Sequence, residues 1–228
     1  MKHTLKITLI LVALFFLTQL FGLGIISEYI NVEKVLEEKE TVKDGVIIKE
    51  QVVVEKQVWE NLPYDVERPK FEGGGSYIAI IISILIATFI ALLLIRFEAI
   101  TLWKIWFFSS VWFTLSIAFN AFIFQSVAVL LAFVLAYLKT FKPNFIMHNF
   151  TELFIYGGLA VIFVPILNLS SILILLFLIS IYDMYAVWKS KHMITMAKFQ
   201  TKLKLFAGVL IPYGKNKTAI LGGGDLGF

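Results

Sequence analysis

The sequence between residues 77 and 188 is almost continuously apolar, and only short polar connections interrupt it. Each apolar run has about 20 residues, the length that an α-helix needs to cross the hydrocarbon core of a bilayer. One further run of this kind lies near the N-terminus. The chain is therefore predicted to have six transmembrane helices, at residues 7–27, 77–95, 99–119, 121–138, 150–167 and 169–188.

The composition supports this class of protein. Hydrophobic residues make up 59% of the chain and charged residues only 16%, so one soluble domain could not bury the apolar surface. The absence of cysteine excludes disulfides and thiolate metal sites, and the three histidines (His3, His148 and His192) are too scattered to form a metal site. We predict an all-α polytopic membrane protein without a metal or another cofactor.

Acidic residues are concentrated in one segment, because twelve of the sixteen lie between Glu28 and Glu72. Within this segment β-branched residues surround Asp44-Gly45, a pair typical of the turn of a β-hairpin. We expect an external loop that contains a small β-hairpin, and the alternative is an irregular, solvated acidic loop. The return of the loop is predicted at Pro63, Pro69 and Gly73–Gly75.

These features divide the chain into five parts. They are a cytoplasmic N-terminus with the first span (1–27), the acidic external loop (28–75), the bundle of spans two to six (76–188), a basic cytoplasmic linker (189–217) and the start of a seventh span (218–228). The linker carries seven lysines among apolar residues, which is typical of an amphipathic helix that lies on anionic headgroups.

The distribution of positive charge predicts the orientation in the membrane. If the N-terminus is cytoplasmic and each span reverses direction, all thirteen Lys and Arg residues outside the acidic loop lie at the cytoplasmic side. They are Lys2, Lys6, Arg96, Lys104, Lys139, Lys142, Lys189, Lys191, Lys198, Lys202, Lys204, Lys215 and Lys217. We expect a multi-pass protein of the plasma membrane, surrounded by the lipid bilayer, and no nucleic-acid partner.

Four acidic residues remain outside the loop. Glu98 is interpreted as a solvated charge in a short turn, and Glu152 as the capping-box partner of Asn149 at the start of the fifth span. Asp183 and Asp225 are left as a candidate catalytic pair. An ionised carboxylate within the membrane is costly, so Asp183 in the sixth span indicates a functional site with a partner.

The two aspartates are predicted to lie at similar depth. Asp183 is roughly 7–8 Å from the cytoplasmic end of its helix and, if a seventh helix begins near Ala219, Asp225 is roughly 9 Å from the same side. Two carboxyls held together in a medium of low dielectric share one proton, which suits a pair that activates water. The preceding glycines, Gly222, Gly223 and Gly224, favour close approach of backbones.

The same glycines also match a dinucleotide-binding pattern. Gly222, Gly224 and Gly227 fit G-x-G-x-x-G, but that fingerprint requires a βαβ unit around it. No such unit is predicted here, so the nucleotide interpretation is rejected.

Tyr182-Asp183 in one span and Gly222-Gly223-Gly224-Asp225 after it resemble the YD and GxGD motifs of the presenilin and signal peptide peptidase family of intramembrane aspartyl proteases. The surroundings, SIYDMYAVWKSKHM and ELFIYGGLAVIFVP, look like archaeal members. The resemblance implies cleavage of single-span membrane proteins within the bilayer, with Asp183 and Asp225 as the catalytic residues. It also implies that the stretch before GxGD offers a strand to the substrate, here Thr218, Ala219, Ile220 and Leu221.

Members of this family have nine spans and a Pro-Ala-Leu motif at the start of the ninth. The 228 residues do not contain spans eight and nine or that motif. We therefore expect this chain to be incomplete as a catalyst, and a polypeptide that carries the missing spans is one candidate partner.

Two interpretations outside enzymology stay open at this point. The chain could be a membrane scaffold, or an ion-coupled carrier that uses Asp183 as its coupling carboxylate. Gly157, Gly158 and Pro165 in the fifth span are interpreted as sites of close packing and kinking and are assigned no catalytic role.

Overall fold

The computed structural model describes residues 5–43, 46–68, 76–213 and 217–227. Eight α-helices lie within these residues: α1 (Leu5–Ser27), α2 (Ser76–Arg96), α3 (Ile100–Asn120), α4 (Gln125–Phe141), α5 (Phe145–Phe163), α6 (Leu169–Trp188), α7 (His192–Leu203) and α8 (Gly223–Gly227). Four strands form two antiparallel hairpins: β1 (Ile30–Lys43) with β2 (Val46–Trp59), and β3 (Gly208–Tyr213) with β4 (Lys217–Gly222).

Five helices are long and apolar enough to cross a membrane, which makes the chain a multi-pass membrane protein. They are Leu5–Ser27, Ser76–Arg96, Ile100–Asn120, Phe145–Ile166 and Leu169–Trp188. The predicted span at 121–138 corresponds to α4, a shorter apolar helix of 17 residues. It begins later than predicted because the N–H groups of Phe122 and Ile123 bond to the carbonyl of Phe119 in a turn that follows α3.

The best packed core lies among α1, α3, α4 and α5. Ile25, Leu115, Ala132 and Val161, one from each of these helices, are fully buried in it. The remaining long helices, α2 and α6, keep most of their apolar side chains on the outer surface, as expected for helices that face lipid. They pack against each other and against α7, so the helices form two groups that meet where α2 and α7 contact α3.

Glycines set the closest helix contacts, as the sequence predicts for Gly157 and Gly158. A Cβ added at Gly158 would lie 2.2 Å from the backbone oxygen of Thr114 on α3. A Cβ at Gly157 would lie 2.5 Å from Ile25 Cδ1 and 3.2 Å from Gly22 Cα on α1. The predicted kink at Pro165 is also present, because α5 ends before it and a 3-10 turn spans Val164–Ile166.

The start of the fifth span differs from the prediction. Helix α5 begins at Phe145, and its N-cap is Asn144, whose side chain accepts a hydrogen bond from Ile146 N at 3.1 Å. Asn149 and Glu152 therefore lie inside the helix, and the prediction that they form a capping box is wrong. Both side chains instead make tertiary contacts with other elements.

The acidic segment contains the predicted β-hairpin, so the irregular loop is excluded. The two strands pair along their whole length, from Ile30 with Trp59 at the base to Lys43 with Val46 next to the turn. The turn at Asp44-Gly45 and the return at Pro69 and Gly73–Gly75 lie outside the described residues.

The segment that follows the hairpin is attached to the ends of the helix bundle. Tyr64 Oη donates to Ser116 O at 3.3 Å, and Arg68 Nε donates to Val161 O at 3.4 Å. Tyr29, just before β1, donates from its hydroxyl to Ile117 O at 2.8 Å. These bonds fix the base of the hairpin to α3 and α5.

The linker after α6 holds the predicted amphipathic helix, α7, and then a second hairpin that the sequence analysis did not predict in full. Thr218–Leu221 lies in β4, in agreement with a strand at this place. The expectation that a helix begins near Ala219 is wrong, because the chain stays extended to Gly222 and α8 starts at Gly223. Pairing of β4 with β3 holds these residues in the extended conformation.

Candidate active site

Asp183 lies on the side of α6 that faces the rest of the protein. The buried positions of α6, Ser171, Leu175 and Ala186, recur at helical spacing and mark its inner face. Asp183 precedes Ala186 by three residues and is half-buried at the edge of this face. The carboxyl is therefore carried by a membrane-spanning helix without being turned fully toward lipid.

Tyr182 is held by two neighbours. Its hydroxyl donates to Thr88 Oγ1 on α2 at 3.2 Å and lies 3.0 Å from His192 Nε2 at the start of α7. His192 Nδ1 in turn contacts Ser190 Oγ. This small network fixes the residue next to Asp183 to α2 and α7, which are also the principal packing partners of α6.

Asp225 lies in the first turn of α8, where a carboxylate is favoured by the positive end of a helix. The side chain is exposed, and its Oδ2 would lie 3.5 Å from a Cβ added at Gly222. The following residue anchors the helix, because Leu226 is buried and its carbonyl accepts a hydrogen bond from Gln19 Nε2 of α1 at 2.8 Å. Asp225 is thus exposed on an element that packs closely against α1.

The glycine motif lies against α5. A Cβ added at Gly223 would approach Tyr156 Oη to 2.7 Å, whereas one added at Gly224 would meet nothing within 4 Å. Gly223 N also donates to Ala207 O at 3.1 Å, which closes the end of the β3–β4 hairpin. The absence of a side chain at Gly223 allows this close approach between the motif and α5.

Helix α5 also binds the outer edge of β3. Asn149 Nδ2 donates to Leu210 O at 2.7 Å, and Leu210 N donates to Asn149 Oδ1 at 2.9 Å, so one side chain satisfies both backbone groups. His148 Nε2 lies 2.7 Å from Gly208 O on the same edge. The hairpin that precedes the GxGD motif is therefore fixed to α5 through polar groups.

A buried ion pair supports this region of α5. Lys139 Nζ of α4 lies 2.5 Å from Glu152 Oε1 and 3.1 Å from Thr151 Oγ1, and the Lys139 and Glu152 side chains are only 1% and 2% exposed. His148 Nε2 is 3.9 Å from the same Glu152 oxygen. The second oxygen of Glu152 and the hydroxyl of Tyr156, one helical turn further along, are buried without a hydrogen-bond partner among the described residues.

The two predicted catalytic residues are carried by different groups of helices. Helix α6, with Asp183, packs mainly on α2 and α7, while α8, with Asp225, packs on β3, β4, α1 and α5. Among the described residues no three His, Asp or Glu side chains are grouped as a metal site would require.

Comparison with known proteins assigns the family. The family model described as signal-peptide peptidase, presenilin aspartyl protease matches residues 54–224, about three quarters of the 228 residues. The chain belongs to this family. No curated protein and no solved structure matches the chain.

The presenilin and signal-peptide peptidase family is a family of intramembrane aspartyl proteases. The match includes Tyr182-Asp183 and the three glycines of the motif, and it ends one residue before Asp225. The sequence resemblance to this family is thereby confirmed, whereas the roles of the individual residues are matters for proposal.

Several polar residues of this presenilin-family chain were not connected with the two motifs in the sequence analysis. They are Thr88, Lys139, His148, Asn149, Glu152, Tyr156 and His192. One signal was available, because Lys139 and Glu152 are ionisable residues of opposite charge in neighbouring apolar runs. Such residues inside membrane helices usually pair.

Proposed function

We propose that this chain is an intramembrane endopeptidase in which Asp183 and Asp225 act together on peptide bonds of single-span membrane proteins. The observation that carries the proposal is the family match over a region in which Tyr182-Asp183 occurs on a membrane-spanning helix and the GxGD glycines lead from β4 into the first turn of α8. Membership in a protease family favours this function over the scaffold and the carrier.

The proposed reaction needs one ionised and one neutral carboxyl. The ionised aspartate removes a proton from water as the water oxygen attacks the peptide carbonyl carbon, and the neutral aspartate donates a hydrogen bond to the carbonyl oxygen. The tetrahedral intermediate then collapses, the C–N bond breaks, and the amine leaves with a proton supplied by the pair. Two carboxyls at short distance disfavour ionisation of both, so one of them keeps the proton that the reaction needs.

Neither carboxyl is fully enclosed by the protein, as a role for water requires. Asp225 is exposed in the first turn of α8, and Asp183 is half-buried on α6. Because each lies on a different group of helices, the proposal requires that the contact between the groups brings α6 and α8 face to face when a substrate is bound.

We further propose that a substrate pairs with the outer edge of β4. Leu210 directs its backbone groups to Asn149, so its partner Ile220 must likewise direct its N–H and C=O away from β3. The outer edge of β3 is covered by α5, whereas no hydrogen bond among the described residues reaches the outer groups of Thr218 and Ile220. Both side chains are exposed beside this edge.

Such pairing would place a substrate next to the GxGD motif, because β4 runs directly into Gly222 and α8. Adding a strand also unwinds a helical substrate, which exposes the peptide bond to water. Thr218, Ala219, Ile220 and Leu221 are therefore proposed as the strand that binds substrate, and Tyr182, Gly222, Gly223 and Gly224 as residues that shape the active site.

We place the protein in the plasma membrane with the N-terminus in the cytoplasm. The support is the separation of charge, with the basic linker and helix ends on one side and the acidic β1–β2 hairpin on the other. Protease protection of a tag at either site in sealed vesicles would test this orientation.

The catalytic proposal is tested by cleavage of a fluorogenic single-span peptide in proteoliposomes that contain the full chain, with and without a polypeptide that supplies the missing spans. We expect Asp183→Asn and Asp225→Asn each to abolish cleavage, because either change removes one member of the proton-sharing pair. Glu98→Gln, at an exposed carboxylate in the turn between α2 and α3, is the matched control and should retain activity. Cleavage by both aspartate variants at the original rate would contradict the proposal.

A second test does not depend on turnover. Because the chain has no cysteine, the double variant Asp183→Cys/Asp225→Cys contains the only two thiols, and a short bifunctional thiol reagent should link them in the presence of the substrate peptide. Glu98→Cys/Asp225→Cys serves as the control pair. Equal linking of both pairs would show that Asp183 and Asp225 do not approach each other.

A further inference from the structure

A groove of about 330 Å³ lies between α2, α3 and α7. Its walls are apolar, with Ile84 and Ala87 from α2 and Trp106 from α3, and Met196 and Gln200 of α7 close one end. The groove is separate from the β3–β4 hairpin and from α8. The groove is therefore a candidate ligand site apart from the GxGD motif.

The length and position of the groove match one leaflet of a bilayer. It extends over eight residues of α2, from Ile84 to Ala91, and over eight of α3, from Trp103 to Ser110, about 10 Å along each helix. One end lies toward Arg96 at the end of α2, where Met196 and Gln200 of α7 close it, and the other lies near the middle of both spans. A lipid hydrocarbon chain that enters from the membrane surface has the same course, because half of the hydrocarbon core is about 15 Å.

The charge near the α7 end favours an anionic headgroup. Lys191, Lys198, Lys202 and Lys204 are exposed on α7 and its two flanks. Residues 189–213 contain no Asp or Glu. Basic side chains at a membrane surface attract anionic lipid, and here they are not neutralised by acidic residues of the same segment.

Trp103 supplies a polar group in this otherwise apolar lining. The side chain is 5% exposed, and its Nε1 is buried without a hydrogen-bond acceptor among the described residues. The ring is fixed by edge contacts with Trp106 and Phe199, with centroids 5.9 and 5.2 Å apart. An unpaired buried donor is unfavourable, and an oxygen of a bound ligand would satisfy it.

We propose that this groove binds an anionic phospholipid of the adjoining leaflet. One hydrocarbon chain occupies the space between α2 and α3, an oxygen near the head of the lipid accepts the Trp103 Nε1 hydrogen bond, and the positive charge of the exposed α7 lysines attracts the phosphate. The lipid thereby joins α7 to α2 and α3, beside the contacts that Tyr182 makes with Thr88 and His192.

The test is native mass spectrometry of the purified full chain titrated with phosphatidylglycerol or phosphatidylcholine. We expect one phosphatidylglycerol to remain bound per chain, with at least fivefold higher affinity than phosphatidylcholine. Ala87→Phe should weaken binding about tenfold because the ring fills the groove, and Ser110→Phe on the opposite wall should do the same. Ser83→Phe, at an exposed residue of α2 outside the lining, should leave binding unchanged.

Two further variants separate the hydrogen bond from Trp103 and the attraction by the positive charge of α7. Trp103→Phe should weaken phosphatidylglycerol binding about fivefold, the effect of one hydrogen bond, while Lys198→Gln/Lys202→Gln should remove the preference for the anionic lipid. Circular dichroism would verify that each variant is folded. Equal binding of both lipids, equal effects of Ala87→Phe and Ser83→Phe, or displacement of the lipid by a single-span substrate peptide would overturn the proposal.

Discussion

Asn149 on α5 pairs with Leu210 on β3 as a neighbouring strand would, since its side-chain amide donates to the carbonyl and accepts from the N–H of the same residue, at 2.7 and 2.9 Å. This contact leaves β4 as the accessible edge of the hairpin that leads into the GxGD motif. The amide side chain of Asn149 is therefore one of the groups that hold the hairpin, and through it α8, against a membrane-spanning helix.

Asn149→Leu is predicted to loosen the hairpin. The substitution keeps a similar volume but leaves two backbone groups of Leu210 without partners, at a cost of about 1–3 kcal/mol. Hydrogen–deuterium exchange should show faster exchange at the Leu210 amide, and peptide cleavage should fall. Asn144→Ala is the control because Asn144 caps the same helix at its exposed end. If both variants accelerate exchange in β3 equally, the contact does not anchor the hairpin.

Replacing one member of the buried Lys139–Glu152 pair is predicted to be strongly destabilising. Lys139→Met leaves a buried carboxylate unpaired, and Glu152→Leu leaves a buried ammonium, with an expected cost of about 3–5 kcal/mol for either change. The double variant Lys139→Met/Glu152→Leu should recover most of this stability because no charge remains. Unfolding in mixed micelles would measure the three values, and a double variant as unstable as the sum of the single variants would contradict the prediction.

Gly158→Ala is predicted to disturb the contact between α3 and α5. The new methyl group would lie 2.2 Å from a backbone oxygen of Thr114, which can move only if the helices separate. We expect a loss of about 1–3 kcal/mol in the free energy of unfolding. Gly24→Ala is the matched control on α1, since a Cβ there meets nothing within 4 Å, and it should be neutral or stabilising.

Tyr29 is predicted to make stability depend on alkaline pH. Burial raises the pKa of its phenol above the ordinary value of 10.0, and the hydroxyl donates to Ile117 O in the folded protein. The unfolded chain ionises first, so the stabilisation by Tyr29 is complete below pH 10 and is lost as the pH rises through the folded-state pKa. Tyr29→Phe should have a smaller decrease in melting temperature between about pH 9 and pH 11 than the parent chain.

Tyr137→Phe is the control for that experiment, because Tyr137 is 43% exposed on α4. Its melting temperature should follow the parent chain across the same pH range. If Tyr29→Phe also follows the parent chain, ionisation of Tyr29 does not contribute to the alkaline loss of stability.

Local signals predicted much of the fold. Runs of about 20 apolar residues identified the long helices, and Asp44-Gly45 between β-branched residues identified the first hairpin. Both features are determined by contiguous residues, since the length of an apolar run predicts a spanning helix and the residues at a turn predict a hairpin. The side of the membrane on which that hairpin lies stays a prediction.

The errors arose where distant residues decide the outcome. Asn149 and Glu152 have the spacing of a capping box, yet their partners, Leu210 and Lys139, come from other elements. The strand at Lys217–Gly222 continues past Ala219 because β3 pairs with it. The residues Thr218–Leu221 alone do not predict that length. The prediction that the two aspartates lie at the same depth rested on a helix that begins near Ala219. Because the chain is extended there and Asp225 lies in the short helix α8, that prediction loses its basis.

The distribution of the two aspartates over separate helix groups has a consequence for genetics. Helix α6, with Asp183, packs on α2 and α7, and α8, with Asp225, packs on α1 and α5, so the distance between the carboxyls depends on the seam where the two groups pack against each other. Substitutions along that seam, such as those at Ala91 or Trp103, would alter catalysis without touching a reacting atom. A selection for second-site suppressors of a weak active-site variant should therefore be enriched at this seam.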